Sequence, residues 1–481
     1  MDNLITWFSG KGHRLLVCAA ILLFAGTAHA DEPLFEARID YAAGHGATAV
    51  FSIDLDADGD NDLVVADFDT TNISVLLNNG DGTFAAAVDY GVGNGPACVF
   101  SIDLDDDDDN DLAVANFNSD SVSILLNNGD GTFATAVDYG VGVEPYSVFS
   151  IDFDADGDND LATANQFSDS VSILMNNGDG TFASALNYST GLDPLSVFAI
   201  DLDGDDHPDL AVANSGSDNV SILRNSGDGT FAAAINYAAG QGPYSVFSID
   251  LDADSDNDLA VADYNSDSVS ILINGGDGTF AAPVGYGAGD GACSIFSIDF
   301  DADDDNDLAV VNSRSYNVSI LLNNGDGTFA TAVNYGTGSE PWSVFSIDLD
   351  GDGDNDVATA DYDADSVSIL FNRSDIITAV ETDEPVGVLT GFSLEQNYPN
   401  PFNPSTSIAY SLDVRSHVTI DIYTVLGRKV RTLINDIQPA GSYQIIWDGT
   451  DRTGRSVATG LYLYRLQIGD KAATRKMILL K

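Results

Sequence analysis

The chain has 481 residues, with 76 acidic against 17 basic side chains and a formal net charge of −59. A field of that sign repels nucleic acid and anionic lipid, which argues against both as partners. The length allows several domains, but an internal repeat assigns most of it to one.

The N-terminus reads as a secretory signal, residues 1–30. Lys11 and Arg14 supply the positive region, Leu15 to Gly26 a short apolar core, and Ala28-His29-Ala30 the small-residue cleavage site. The core is too short to span a bilayer, an uncleaved anchor being the alternative. No other stretch is apolar enough to cross, so the expectation is an exported chain without a transmembrane helix. Between Asp31 and Leu389 only Arg38, Arg224, Arg314 and Arg373 are basic, against 68 acidic residues. From Thr390 to Lys481 there are 11 basic and 7 acidic residues. Adaptation to salt would touch the whole chain, and the basic tail argues against it. Cys18 leaves with the signal, while Cys98 and Cys293 fall in the second and sixth repeats, which are not neighbours in a ring. No disulfide framework is therefore expected, and bound metal is the natural substitute.

From Asp31 to Arg373 one unit of 49 residues recurs seven times. In the third copy a first run, Tyr146 to Asp152, leads into an acidic loop. Asp160 to Ala164 is the second run, Val171 to Met175 the third and Phe182 to Tyr188 the fourth. Between the last two lies Asn177-Gly178-Asp179-Gly180, a hairpin turn of the kind that needs positive φ. Four short strands per repeat predict an all-β fold, a seven-bladed β-propeller, with a parallel β-helix as the alternative. The last copy stops near Asn372 without its fourth strand, and Phe35 to Tyr41 matches the missing piece. The N-terminus is thus expected to complete the seventh blade and close the ring.

Within each loop positions 1, 3, 5 and 9 are aspartate in all seven copies. They are Asp54, Asp56, Asp58 and Asp62 in the first, and Asp103, Asp105, Asp107 and Asp111 in the second. The third has Asp152, Asp154, Asp156 and Asp160; the fourth Asp201, Asp203, Asp205 and Asp209. The fifth has Asp250, Asp252, Asp254 and Asp258, the sixth Asp299, Asp301, Asp303 and Asp307, the seventh Asp348, Asp350, Asp352 and Asp356. Alternate carboxylates on a tight loop suit calcium, which takes six to eight oxygens, with the position-7 carbonyl and water completing the shell. Up to seven Ca²⁺ ions, one per blade, are expected; bare solvated turns are the alternative. Position 6 should turn with positive φ. Gly59, Gly157 and Gly353 suit it, whereas Asp108, Asp206, Ser255 and Asp304 suit it less, so the sites should differ in strength.

These loops, the Asp-Leu-Ala-Val-Ala strand after them and the Asn-Asn-Gly-Asp-Gly-Thr-Phe turn resemble the calcium-binding repeats of integrin α-subunit propellers. The bacterial relatives are called FG-GAP or VCBS repeats. The resemblance implies calcium on one face of the disc and ligand binding on the opposite face. That face should carry the loops between blades, with Tyr146, Tyr244 and Trp342, and those between second and third strands. The latter contribute Phe68, Phe117, Phe167, Tyr264, Tyr316 and Tyr362. Such aromatics can stack on sugars or peptide side chains, or can simply pack between blades.

No nucleophile elbow, zinc spacing or phosphate loop is present, and the histidines after the signal, His45, His207 and His417, are scattered. No catalytic residue is assigned. Paired carboxylates could cleave polysaccharide, but every repeated one is already assigned to metal.

A polar linker, 374–391, precedes a tail, 392–481, in which the repeat is gone. Strand-like runs at Ser407 to Leu412, His417 to Tyr423, Gly441 to Trp447 and Gly460 to Gln467 suggest a small immunoglobulin-like β-sandwich. Turns are expected at Leu426-Gly427-Arg428 and Trp447-Asp448-Gly449. Its opening, Asn397-Tyr398-Pro399-Asn400-Pro401-Phe402-Asn403-Pro404, the Trp-Asp-Gly turn and the basic ending resemble C-terminal sorting domains of type IX secretion substrates. That resemblance implies recognition by an outer-membrane export machinery and a secreted or cell-surface location in a Gram-negative bacterium. An ordinary accessory sandwich is the alternative. The sequence as a whole reads as an exported, monomeric propeller that binds an extracellular glycan or protein. A polysaccharide-active enzyme and a purely structural surface component are the other readings.

Overall fold

The computed structural model describes residues 34–373 and, with short interruptions, 392–479. The expected signal, the linker and the turn at Leu426-Gly427-Arg428 lie outside the described residues. The chain divides into two compact units, Met1–Val380 and Glu381–Lys481.

In the first unit seven four-stranded antiparallel sheets follow one another, six with four consecutive strands in chain order and the seventh completed by the N-terminal strand. The third sheet consists of Pro145–Ile151, Asp160–Asn165, Ser170–Leu174 and Leu186–Ser189. Its first three strands fall where the sequence pattern put them. The fourth is shorter than expected: Phe182 makes only an isolated bridge to Asn176, and regular pairing begins at Leu186. The second and third strands are buried along essentially their whole length, which explains their unbroken Leu, Val, Ile and Ala content. The fourth is largely exposed, as an outer edge should be.

Ring closure follows the expected split. Ile39–Ala42 pairs antiparallel with Ser366–Leu370 and becomes the outer strand of the seventh sheet, with Phe35 bridging Asn372. The Arg373 amide donates to the Leu34 carbonyl at the end of the same seam. At the centre, Phe51, Phe100, Phe149, Phe198, Phe247, Phe296 and Phe345, one from each first strand, form a closed ring of aromatic contacts. Neighbouring centroids lie between 4.7 and 5.0 Å apart, and the contact from Phe345 to Phe51 is as short as any. A circle of seven such contacts requires a closed propeller and excludes an open β-helix.

The second unit packs two sheets, one of Phe392–Leu394, Thr406–Leu412 and Gly441–Trp447, the other of Lys429–Gln438, Ser416–Thr424, Gly460–Ile468 and Lys471–Leu479. Trp447, Tyr464, Phe402, Ile420 and Met477 are buried in its core. The four expected strands are present, and Phe392–Leu394, Lys429–Gln438 and Lys471–Leu479 are added to them. Gly449 takes a φ of 67° in the expected turn after Trp447. Part of the opening motif is structural: the Asn397 amide donates to Tyr464 Oη at 2.8 Å, and its Nδ2 reaches the Pro399 carbonyl and Thr406 Oγ1. No helix among the described residues is long and apolar enough to cross a membrane.

Candidate metal loops and the aromatic face

Each acidic loop joins a first strand to a second, so all seven lie at the same end of the propeller. The position-1 carboxylate organises the turn: Oδ2 of Asp54, Asp103, Asp152, Asp201, Asp250, Asp299 and Asp348 accepts from the position-6 amide of its own loop at 2.8–3.0 Å. Position 5 accepts from the position-7 amide in the same way, as Asp58 does from Asp60. Position 6 has positive φ in every copy, from 66° at Asp206 to 101° at Gly157 and Gly353. Position 4 is also left-handed, at Ala57, Asp106, Ala155, Gly204, Ala253, Ala302 and Gly351. Only the glycines there hinted at this in the sequence.

These turns draw the carboxylates together. Oxygens of Asp54, Asp56 and Asp58 lie within 4.8 Å of one another, and the same positions converge in the second and fifth loops. In the third and fourth loops positions 1, 3 and 9 converge instead, as with Asp152, Asp154 and Asp160. Position 9 has a further task. Asp62 opens the second strand at 1% exposure, with Oδ2 accepting from the Leu55 amide and Oδ1 from the Asn78 amide. The same pair of bonds fixes Asp111, Asp160, Asp209, Asp258, Asp307 and Asp356. Burial is the main cause that lifts these carboxyls, Asp62 to about 6 and Asp111 to about 7.

The donor set fits a hard cation on one specific ground. Buried oxygens of Asp56, Asp105, Asp203, Asp252 and Asp301 at position 3, and of Asp54 and Asp250 at position 1, have no hydrogen-bond donor. A buried carboxylate oxygen without a donor is costly, and an oxygen-seeking ion resolves it. Neighbouring loops are also tied together. Asn78 Nδ2 donates to the Leu349 carbonyl of the preceding blade at 2.8 Å, and its counterparts repeat this around the ring. The Asn-Gly-Asp-Gly hairpins lie against the same loops. Gly80 takes a φ of 80°, where any side chain would be strained, and it lies against the Asp60 carboxylate.

At the opposite end the expected aromatics meet. Phe68 contacts Phe117, Phe117 contacts Tyr146, and Tyr146 contacts Tyr244. Tyr244 then touches both Tyr264 and Trp342, which stack at 6.0 Å with 19° between their planes. The hydroxyls of Tyr146 and Tyr244, from the third and fifth blades, hydrogen-bond at 2.7 Å, and burial pushes both well up. Arg314 lies over Tyr264 at 4.1 Å. Tyr362 stands apart from this chain of contacts and donates to Asp69 at 3.0 Å. Phe167 and Tyr316 do not join it: they fall one and three residues beyond the repeat position held by Phe117 and Tyr264, and they are 73% and 46% exposed. Cys98 and Cys293 are free thiols near this end. Burial pushes Cys293 up to about 12.

Three comparisons bear on this architecture. The FG-GAP-like repeat family matches residues 54–114, 103–163, 152–212, 201–261, 250–310 and 299–359. The FlgD Ig-like domain family matches residues 403–471. No curated protein matches the chain. Among solved structures, BBS1N in complex with ARL6DN is similar in a lead-soaked and a mercury-soaked crystal. Each has a TM-score of 0.52 at 14% identity, covering 71% of this chain and 97% of that one. A functionally unknown protein from Desulfotomaculum acetoxidans aligns at 12% identity and a TM-score of 0.45, over 66% of this chain and 90% of its own. At such identities the likeness is one of fold alone.

Proposed function

The chain belongs to the FG-GAP-like repeat family, and on that premise we propose that it is an exported, calcium-braced propeller that binds an extracellular glycan or protein through its aromatic end. Calcium is supported by the donor-less buried oxygens at loop positions 1 and 3. Positions 1, 3 and 5 would hold the ion in the first, second and fifth loops, and positions 1, 3 and 9 in the third. The ion would offset charges that otherwise repel within each turn.

The observation that carries the binding role is the stacked pair Tyr264 and Trp342. Both rings are half-buried, as are Phe68, Phe117, Tyr146 and Tyr244 in the same chain of contacts. Trp342, half-buried and backed by Tyr244 and by Tyr264, whose own ring lies under the Arg314 guanidinium, offers a partly exposed aromatic surface that suits a sugar ring or a peptide side chain. The reading is of a binding protein and not of an enzyme. In the tail, the FlgD Ig-like match is the ground for proposing a sorting domain of the type IX kind. A glycan and protein array, probed with the wild type and Trp342→Ala in calcium and in chelator, tests the role. Binding that needs both calcium and Trp342 supports it, and an array without any calcium-dependent signal removes it.

A further inference from the structure

We propose that the fourth acidic loop carries its own cation, the Arg224 guanidinium, so that the ring takes up one divalent ion fewer than it has loops. This rests on the calcium reading above and concerns which loops obey it.

The seven blades act as internal controls. In every blade but the sixth, whose successor has no such turn, the residue that follows the third strand lies between position 3 of its own loop and the Gly-Asp-Gly hairpin of the next blade. In six blades it is apolar: Leu77, Leu126, Met175, Ile273, Leu322 and Phe371. In the fourth it is Arg224, whose Nη1 is 3.2 Å from Asp203 Oδ2. Its Nη2 donates to the Asp277 carbonyl in the hairpin of the fifth blade. Asp203 is 15% exposed and Arg224 35%, so the pair is partly shielded from water.

The fourth loop is also less firmly built. At position 8 the other copies have Asn61, Asn110, Asn159, Asn257, Asn306 and Asn355, whose side chains donate to the position-1 carbonyl of the preceding blade at 2.8–3.0 Å. Pro208 stands there in the fourth and has no side-chain donor. The Leu202 amide lies 3.3 Å from Asp209 Oδ2, against 2.9–3.0 Å for the corresponding bond elsewhere. A fixed positive charge on one ligand carboxylate repels a divalent ion and uses one of the oxygens that ion needs.

The test is the metal count of the full chain. Chelator-treated protein is dialysed against saturating calcium chloride, and bound calcium per chain is measured by atomic emission. Arg224→Leu restores the residue type of the other blades and is expected to take up one ion more than the wild type, with Arg224→Met as a second form. In the wild-type background Asp56→Ala should lose one ion and Asp203→Ala none. Equal counts for wild type and both Arg224 variants overturn the inference, as does loss of an ion from Asp203→Ala. A wild type that binds seven overturns it while leaving the calcium reading intact. A wild type that binds no calcium overturns both.

Discussion

Asp67 and Asp89 compete for one proton: Ser74 Oγ lies 2.8 Å from Asp67 Oδ2 and 3.2 Å from Asp89 Oδ1. A serine hydroxyl can donate once, so one carboxylate goes short. Four sister blades avoid the conflict. There Asn116, Asn165, Asn214 and Asn312 donate to the serine, which passes its proton on to Asp138, Asn187, Asn236 and Asn334. The seventh blade repeats the conflict with Ser368 between Asp361 and Asp40, and Asp263 holds the same position in the fifth.

Burial raises Asp67 and Asp263 to about 7 and Asp361 to about 6, against the opposing effect of their hydrogen bonds. Because the folded pKa exceeds the unfolded value of about 3.9, these groups bind protons more tightly when folded. Their stabilising contribution is complete below about pH 4 and is lost as pH rises through 6–7. The triple variant Asp67→Asn, Asp263→Asn, Asp361→Asn should therefore melt higher than wild type at pH 8, by roughly 3–10 °C. At pH 5 the two should differ less. Melting curves in saturating calcium check this, and a variant less stable at pH 8 would show that the charge itself is needed.

Calcium removal should loosen the whole ring. At a free ion level tenfold above its Kd, one site adds about 1.4 kcal/mol. Six or seven sites together approach ~8–10 kcal/mol, comparable with the stability of an entire domain. Excess chelator should lower the melting temperature by on the order of 10–20 °C, with little rescue by magnesium. An unchanged curve in chelator would remove calcium from the account.

Position 6 offers a gain-of-function test. Ser255, Asp108, Asp206 and Asp304 hold φ values of 66–76° that side chains tolerate poorly, whereas Gly59, Gly157 and Gly353 relax to 96–101°. Relief of that strain is worth about 1 kcal/mol. Ser255→Gly should tighten the fifth site several-fold, read by calorimetry against wild type. For the same reason Asp58→Ala should cost more thermal stability in saturating calcium than Asp254→Ala. Unchanged affinity in Ser255→Gly, or a reversed order of the two alanine variants, would show that backbone strain does not rank the loops.

Much of the fold was legible because seven copies of one unit average out local ambiguity. The loop aspartates, the Gly178 and Gly180 turn and the closing strand at Ile39–Ala42 all repeat, or complete, a pattern fixed by spacing. What escaped depends on contacts between distant residues. The role of Phe51 and its six counterparts could not be told from that of Val50 by alternation alone, because both neighbours on a first strand pack against other blades. The Tyr146–Tyr244 hydrogen bond spans 98 residues and skips a blade, which a 49-residue period does not foretell. The strand Lys471–Leu479 went unread because Lys-Ala-Ala-Thr-Arg-Lys lacks a β-type run, and its pairing with Gly460–Ile468 supplies the order instead. Arg224 was visible as a rare base, but its partner became evident only once the loop had folded around it.

Removal of the tail should leave the propeller intact. The ring is sealed by Ile39–Ala42 on Ser366–Leu370, by the Glu36 amide on the Phe371 carbonyl and by the ion pair of Arg373 with Glu36, all within residues 34–373. The tail has a core of its own around Trp447 and Tyr464. A chain ending at Arg373 should therefore melt within about 2 °C of the propeller transition in the full protein, since the sheets that close the ring are all retained. If the tail is an export signal, the same truncation should leave folded propeller in the periplasm. A reporter carrying a signal peptide, the linker and residues 392–481 should reach the surface of a host with type IX export. Trp447→Ala, which empties the tail's core, should abolish that transport while leaving the propeller's calcium uptake unchanged. A reporter that stays in the periplasm would reduce the tail to an accessory sandwich, and a truncated propeller that fails to fold would show that ring closure needs more than its own seventh blade.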